Sequence, residues 1–242
     1  MGKKKKEVSG QTETLENNAL TLNYRVNLKC KTNKQKELVN AIKNNQIIFV
    51  EGVFGVGKTF VINSMALELL QEPDNNIEKI VMVIPTCTNS SFSVGHLPGN
   101  LEEKLYNFTL NEIDAMKKIL KKSNNLKPDL IIDKLIKDGK IEIRPISFLR
   151  GASIENSFVC VSEAEQFTKE DLFLILTRFE SGKMVISGDV LQTDRREVRG
   201  GNSGLVHAIE RLDGIKDVGI VKFSEEDIVR NDILLDIYKK WK

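Results

Sequence analysis

No apolar run in this chain approaches the roughly 20 residues that a membrane-spanning helix needs. The longest stretches, such as residues 47–50 and 80–84, are strand-length, so no membrane partner is expected. Lys3, Lys4, Lys5 and Lys6 open the chain with positive charge, but residues 7–18 are polar and supply no apolar core for an export signal. Lys6 stands where an acylation start at Gly2 needs Ser or Thr, so that anchor is not expected either. Cysteine is scarce: Cys30, Cys87 and Cys160 are odd in number, widely spaced and form no CxxC pair. Neither a disulfide framework nor a zinc site fits that pattern, and a reducing cytoplasm does. Cys160 lies inside the run Phe158-Val159-Cys160-Val161, where a thiol acts as a small buried hydrophobe. Charge of one sign is lacking as well. The 36 Lys and Arg residues against 34 Asp and Glu leave +2, too little by itself to imply a polyanionic partner.

What the chain does hold is alternation of helix and strand. Residues 1–20 read as a flexible basic and polar tail without periodicity. From about residue 33, short β-branched runs alternate with helical spacing. Strands are expected at residues 47–50, 80–84, 141–143 or beyond, 158–161, 183–186 and 218–221. Helices are expected at 34–43, 59–70, 101–120, 130–136, 169–179, 204–212 and 231–240, with residues 86–99 as loop. The pattern argues an α/β fold, a mostly parallel sheet with helices on both faces. Residues 21–242 are expected to form one domain with a helical insert near 100–138.

One motif dominates. Gly52-Val53-Phe54-Gly55-Val56-Gly57-Lys58-Thr59 follows an apolar strand and opens a helix. Its glycines let backbone N–H groups converge on a phosphate without Cβ obstruction. The helix that begins near Lys58 aims its N-terminal donors at the same anion. Lys58 supplies a mobile full charge for β- and γ-phosphates, and the Thr59 hydroxyl can ligate Mg²⁺. ATP and Mg²⁺ are the expected ligands.

Such a loop needs a second apolar strand ending in Asp, often Asp-Glu, to hold the metal through water and to polarise the attacking water. The strand Phe158-Val159-Cys160-Val161 leads instead into Ser162-Glu163. Glu163 stands where a general base belongs, and Ser162 where the metal-binding Asp would be. Ser162 can hydrogen-bond a metal-bound water but adds no charge. Weak Mg²⁺ binding, or a carboxylate borrowed from elsewhere such as Asp189, is therefore expected.

Further segments occur in an order that resembles the PhoH-like ATPases, relatives of the superfamily 1 helicase core. These are Lys31-Thr32-Asn33-Lys34-Gln35, then Val94-Gly95-His96-Leu97-Pro98-Gly99-Asn100-Leu101-Glu102-Glu103-Lys104, Leu149-Arg150-Gly151 and Leu176-Thr177-Arg178. Ser187-Gly188-Asp189-Val190-Leu191-Gln192-Thr193-Asp194, Ser203-Gly204-Leu205 and Asp227-Ile228-Val229-Arg230 complete the set. The likeness runs from about residue 31 to 240 and implies a RecA-like P-loop NTPase. It also implies that Gln35 contacts adenine, that Asp189 and Gln192 couple the γ-phosphate to a bound strand, and that Arg150, Arg178 or Arg230 serves the transition state, in cis or from a neighbouring subunit. Two departures stand out. The family's DEAQN reads Ser162-Glu163-Ala164-Glu165-Gln166, and its Arg-Pro reads Pro85-Thr86.

The resemblance implies an ATPase, Mg²⁺-dependent, acting on or near RNA or single-stranded DNA as a homo-oligomer. Arg195, Arg196 and Arg199, the lysines of residues 117–122 and the basic tail could meet nucleic-acid phosphates. The alternative is a non-hydrolysing nucleotide sensor or assembly subunit, marked by Ser162 and Glu165.

Overall fold

The computed structural model describes residues 24–85, 88–89, 92–93, 101–190, 192, 198 and 202–241. The basic tail, residues 94–100 with His96, and Arg195, Arg196 and Arg199 lie outside them. In chain order the elements are α1 (Asn33–Asn44), β1 (Ile47–Glu51), α2 (Lys58–Leu69), β2 (Lys79–Ile84), a small hairpin of β3 (Thr88–Asn89) and β4 (Phe92–Ser93), α3 (Leu101–Lys122) and α4 (Pro128–Lys137). There follow β5 (Ile141–Pro145), β6 (Ser157–Val161), α5 (Lys169–Leu176), β7 (Gly182–Gly188), α6 (Gly204–Leu212), β8 (Val218–Lys222) and α7 (Asp232–Trp241). The strands and most helices fall within two residues of expectation. The helix expected to reach residue 179 stops at Leu176, because Phe179 bridges to Ile154 beside the start of β6. Tertiary pairing ends that helix, and no Gly or Pro marks the place.

Six strands form one parallel sheet in the order β5-β2-β6-β7-β1-β8. β7 lies between β1 and β6, the arrangement of a RecA-like core. The period-2 alternation of strand side chains sends alternate residues to opposite faces. Ile48, Val50, Ile80, Met82, Phe158 and Cys160 pack on one face with α1 to α4. Phe49, Val81, Val83, Val159, Val161 and Ile186 pack on the other with α5 and α6. With both faces covered, polar alternation within the strands disappears, which explains the short unbroken apolar runs. Cys160 is buried among them, as its surroundings suggested. Among the described residues no helix is long and apolar enough to cross a membrane.

The helices of the expected insert, α3 and α4, pack into the core. Ile113, Met116, Ile119 and Leu120 of α3 are buried in the same core as Val61, Ile62 and Met65 of α2. The α3 helix therefore lies along the helix that follows the phosphate loop, with its polar edge toward the carboxyl ends of the strands.

Candidate active site

The loop after β1 runs into α2 through Gly57, whose φ of 88° lies in the left-handed region. A Cβ there would also meet Gln35 Nε2 at 2.8 Å, so the position demands glycine twice over. Val56 is fully buried and anchors the loop in the core. Val53 is buried too, and Phe54 stacks edge-on against Tyr238 of α7 with ring centroids 5.6 Å apart. Lys58 Nζ donates to the carbonyl oxygens of Gly52 and of Val53, the latter at 2.9 Å, so the side chain folds back over the loop. Burial pushes its pKa down, and the carboxylates of Asp189 and Glu165 oppose that shift.

Gln35 is buried under the loop. Its Nε2 donates to Val56 O at 2.8 Å, and its Oε1 accepts from Lys31 N at 2.7 Å. The side chain thus ties the start of α1, capped by Thr32, to the loop while lining the adjoining cavity.

That cavity has a volume of about 700 Å³, ample for a nucleotide. Its wall includes Lys58, Thr59, Ser162, Glu163, Asp189 and Arg230. Gln35, Glu165 and Gln192 also line it. Apart from Gln35 on α1, these residues come from beyond the carboxyl ends of four neighbouring strands, β6, β7, β1 and β8, where open α/β sheets present their sites. Arg230 is brought in because Val229 N donates to Gly55 O at 3.1 Å and draws its segment over the loop.

Two predicted residues are not brought in. Arg178 lies by the start of β6 and β7, with its carbonyl accepting from Ile154 N at 2.7 Å. That is the end of the sheet opposite the phosphate loop, so Arg178 does not serve the site of its own chain. Arg150 is exposed and does not line the cavity either. The lysines of residues 117–122 do not form one basic face: Lys117 pairs with Asp129 and Asp133, and Lys122 lies over the Phe60 ring.

Beyond β6, Glu163 adopts a left-handed backbone with φ 53° and ψ 43°. A non-glycine residue there costs on the order of 1–3 kcal/mol and marks sites where direction matters more than strain. Its side chain makes no capping hydrogen bond to the 3₁₀ turn Ala164–Gln166 that follows. It is exposed and aimed at the cavity. Glu165, on the same turn, is buried and accepts from Asp189 N at 2.9 Å. Burial is the main cause pushing its carboxyl from 4.5 up to about 7, with the nearby Glu163 adding to it.

Gly188 makes this turn possible. A Cβ on Gly188 would run into the Glu165 carboxylate and lie 2.9 Å from the Glu165 backbone nitrogen, which cannot yield. Gly188→Ala is expected to cost roughly 1–3 kcal/mol by overpacking. Thermal unfolding would show it as a fall of several degrees, together with weakened nucleotide binding if the turn is displaced.

The sequence reading missed Glu112. It lies on α3, and its Oε1 accepts from Ser162 Oγ at 2.7 Å. Its Oε2 accepts from Asn63 Nδ2 of α2 at 2.6 Å. Burial raises its pKa; the bonds from Ser162 and Asn63 oppose this, and the charge of Glu163 adds to the rise. Helical spacing on α3 placed Glu112 at the polar edge of a core-facing stripe, the one signal available. Among the described residues no three or more His, Cys, Asp or Glu side chains could hold a metal alone. A metal here would share oxygen ligands with bound phosphate, as Mg²⁺ commonly does. Thr59 and the carboxylates across the cleft fit that use.

The family model described as PhoH-like protein matches residues 27–242. A PhoH-like protein of Bacillus subtilis is 32% identical over 215 residues, covering 88% of this chain and 64% of the relative. Protein PhoH of Escherichia coli K12 is 33% identical over 201 residues, covering 81% of this chain and 53% of the relative. The chain thus spans just over half to just under two thirds of the length of these relatives. Among solved structures, the Pif1 helicase of Candida albicans is similar at a TM-score of 0.39 and 14% identity, over 88% of this chain and 44% of that one.

Proposed function

This chain belongs to the PhoH-like family, and from that premise we propose that it binds ATP with Mg²⁺ and hydrolyses it. One observation carries the reading: the loop lysine and threonine, a strained glutamate and an arginine converge on one cavity at the carboxyl ends of the strands. Lys58 and the loop N–H groups bind the phosphates. Thr59 would hold Mg²⁺, with Ser162 beside it, and when bound the metal neutralises charge on the β- and γ-phosphates. Glu163 is the general base that orients and deprotonates the attacking water. Arg230, Gln192 and Asp189 line the same cleft, and the family likeness assigns them to the γ-phosphate. Gln35 offers its remaining amide hydrogen to the adenine. Arg178 retains a role only from a neighbouring copy, which fits a homo-oligomer in which one subunit completes the next one's site.

Action on RNA or single-stranded DNA belongs to the same proposal and rests on the family likeness. The basic tail and Arg195, Arg196 and Arg199 are the basic segments of the sequence that could meet a strand. Phosphate release with and without oligo(U) RNA or oligo(dT) tests it. Release that rises severalfold with a single strand is the expected result. Release that ignores both strands removes the nucleic-acid role. ATP binding without release under either condition would favour a nucleotide sensor or assembly subunit, the outcome that Ser162 and Glu165 would then explain.

A further inference from the structure

The carboxylate that β6 lacks is supplied from another element. We propose that Glu112, carried by α3 and hydrogen-bonded to Ser162, is the positioning carboxylate for the Mg²⁺ that accompanies nucleotide, replacing the acid that normally ends this strand. The inference rests on the nucleotide reading above and concerns how the metal is held within it.

The geometry carries the argument. Ser162 is the residue after β6, where an aspartate would hold metal-bound water. Its hydroxyl spends its proton on Glu112 Oε1 at 2.7 Å, so the negative charge sits one side chain removed from the usual place. Glu112, Ser162, Thr59 and Glu163 all line one cavity. Asn63, one helical turn beyond Thr59 on α2, fixes the other carboxylate oxygen at 2.6 Å. The carboxyl group is therefore held at both ends, as a group used for positioning must be.

The arrangement is also costly in a way that packing does not require. Asn63 is fully buried, and its Oδ1 has no hydrogen-bond partner. A buried unsatisfied acceptor costs about 1–3 kcal/mol. Its same-face neighbours on α2, Ala66 and Leu67, are buried in the apolar core with Phe60 packed against it, so this helix face accepts apolar side chains. An apolar pair at 63 and 112 would join α2 to α3 at less cost. The polar pair instead puts a second negative charge on the cleft wall beside Glu163, and a divalent cation between such walls relieves the repulsion. Asp189 is placed differently: its N–H bonds Glu165 and its carboxylate acts on Lys58.

Mn²⁺ as the probe metal and ADP as the probe nucleotide separate the two levels of the claim. Mn²⁺ affinity of the ADP-bound protein would be read by electron paramagnetic resonance, and ADP affinity in EDTA by fluorescence. Glu112→Gln should weaken Mn²⁺ binding roughly 10- to 100-fold, the usual effect of losing an orienting carboxylate. ADP affinity in EDTA should stay close to wild type and the melting temperature should not fall, since glutamine keeps the size and can bond Ser162 and Asn63. Adding Ser162→Asp to Glu112→Gln should restore Mn²⁺ binding by returning the charge to the strand. Unchanged Mn²⁺ affinity in Glu112→Gln would overturn the proposal and leave the nucleotide reading intact. Loss that Ser162→Asp does not rescue would overturn it too, by showing that Glu112 supports the cleft through shape rather than charge. A wild-type chain that binds no ADP, with Mn²⁺ or in EDTA, would bring down the nucleotide reading, and the proposal with it.

Discussion

Lys58→Ala is expected to abolish the thermal stabilisation that Mg²⁺ and ATP give the wild-type chain. In the structure the ammonium group lies over the loop, bonded to two of its carbonyls, with Asp189 and Glu165 close enough to favour its charge. Charge-assisted hydrogen bonds contribute roughly 1.5–3 kcal/mol each. Losing those to phosphate should weaken ATP about a hundredfold or more, since about 1.4 kcal/mol is a factor of ten. Ligand at a hundred times its dissociation constant stabilises by about 2.7 kcal/mol. For a chain of this size that is roughly 5–10 °C in melting temperature. In the variant the same ATP concentration should add about 1 °C or less. The comparison is made against each protein's own melting temperature without ATP, because removing Lys58 also strips the loop carbonyls of a donor. A shift as large as wild type's would remove the phosphate loop from the reading altogether.

The second large effect concerns pH. Glu165→Gln should stabilise the protein above neutrality and have little effect in acid. The carboxyl of Glu165 titrates at about 7 in the folded chain against 4.5 ordinarily, because it is buried. The folded state therefore holds this proton more tightly than the unfolded state does. The associated stability is fully present below pH 4.5, declines as pH rises and is lost once pH passes about 7. A shift of that size corresponds to about 3 kcal/mol at most. Glutamine carries no charge to desolvate and can still accept from Asp189 N. The advantage of the variant should thus grow between pH 4.5 and 7 and level off above, reaching several degrees in melting temperature. Glu112, also raised by burial, adds a trend of the same sign in both proteins and cancels in the comparison. An advantage that is equal at pH 5 and pH 8 would show that the wild-type carboxyl is not held protonated by the fold.

The same titration bears on function. Below about pH 7 Glu165 carries an O–H that can donate to phosphate, as the amide in the family's pattern would. Above that, its charge faces both Lys58 and the bound triphosphate. Glu165→Gln should therefore tighten ATP binding at pH 8 more than at pH 6, measurable by titration of a fluorescent nucleotide.

What the sequence determined by itself is what depends on neighbours along the chain. The phosphate loop is such a case, since glycine spacing, a preceding apolar run and a following helix act within a dozen residues. The six strands were legible because a sheet covered on both faces requires unbroken β-branched runs. The general-base position of Glu163 and the weak point at Ser162 could be located from the strand's end alone, whereas the left-handed backbone at Glu163 could not. Where α5 stops was not legible, because the bridge between Ile154 and Phe179 ends it. Arg178 illustrates the same limit. Its motif marked it as a candidate for the site, but sheet geometry puts it at the opposite end of the strands. Glu112 and Ser162 lie 50 positions apart. Nothing local joins them; burial of Ile113 and Met116 against α2 does, by turning the polar edge of α3 toward the end of β6. Sequence therefore showed that a charge was missing from its usual place, and only the packing of one helix on another decided where that charge is supplied.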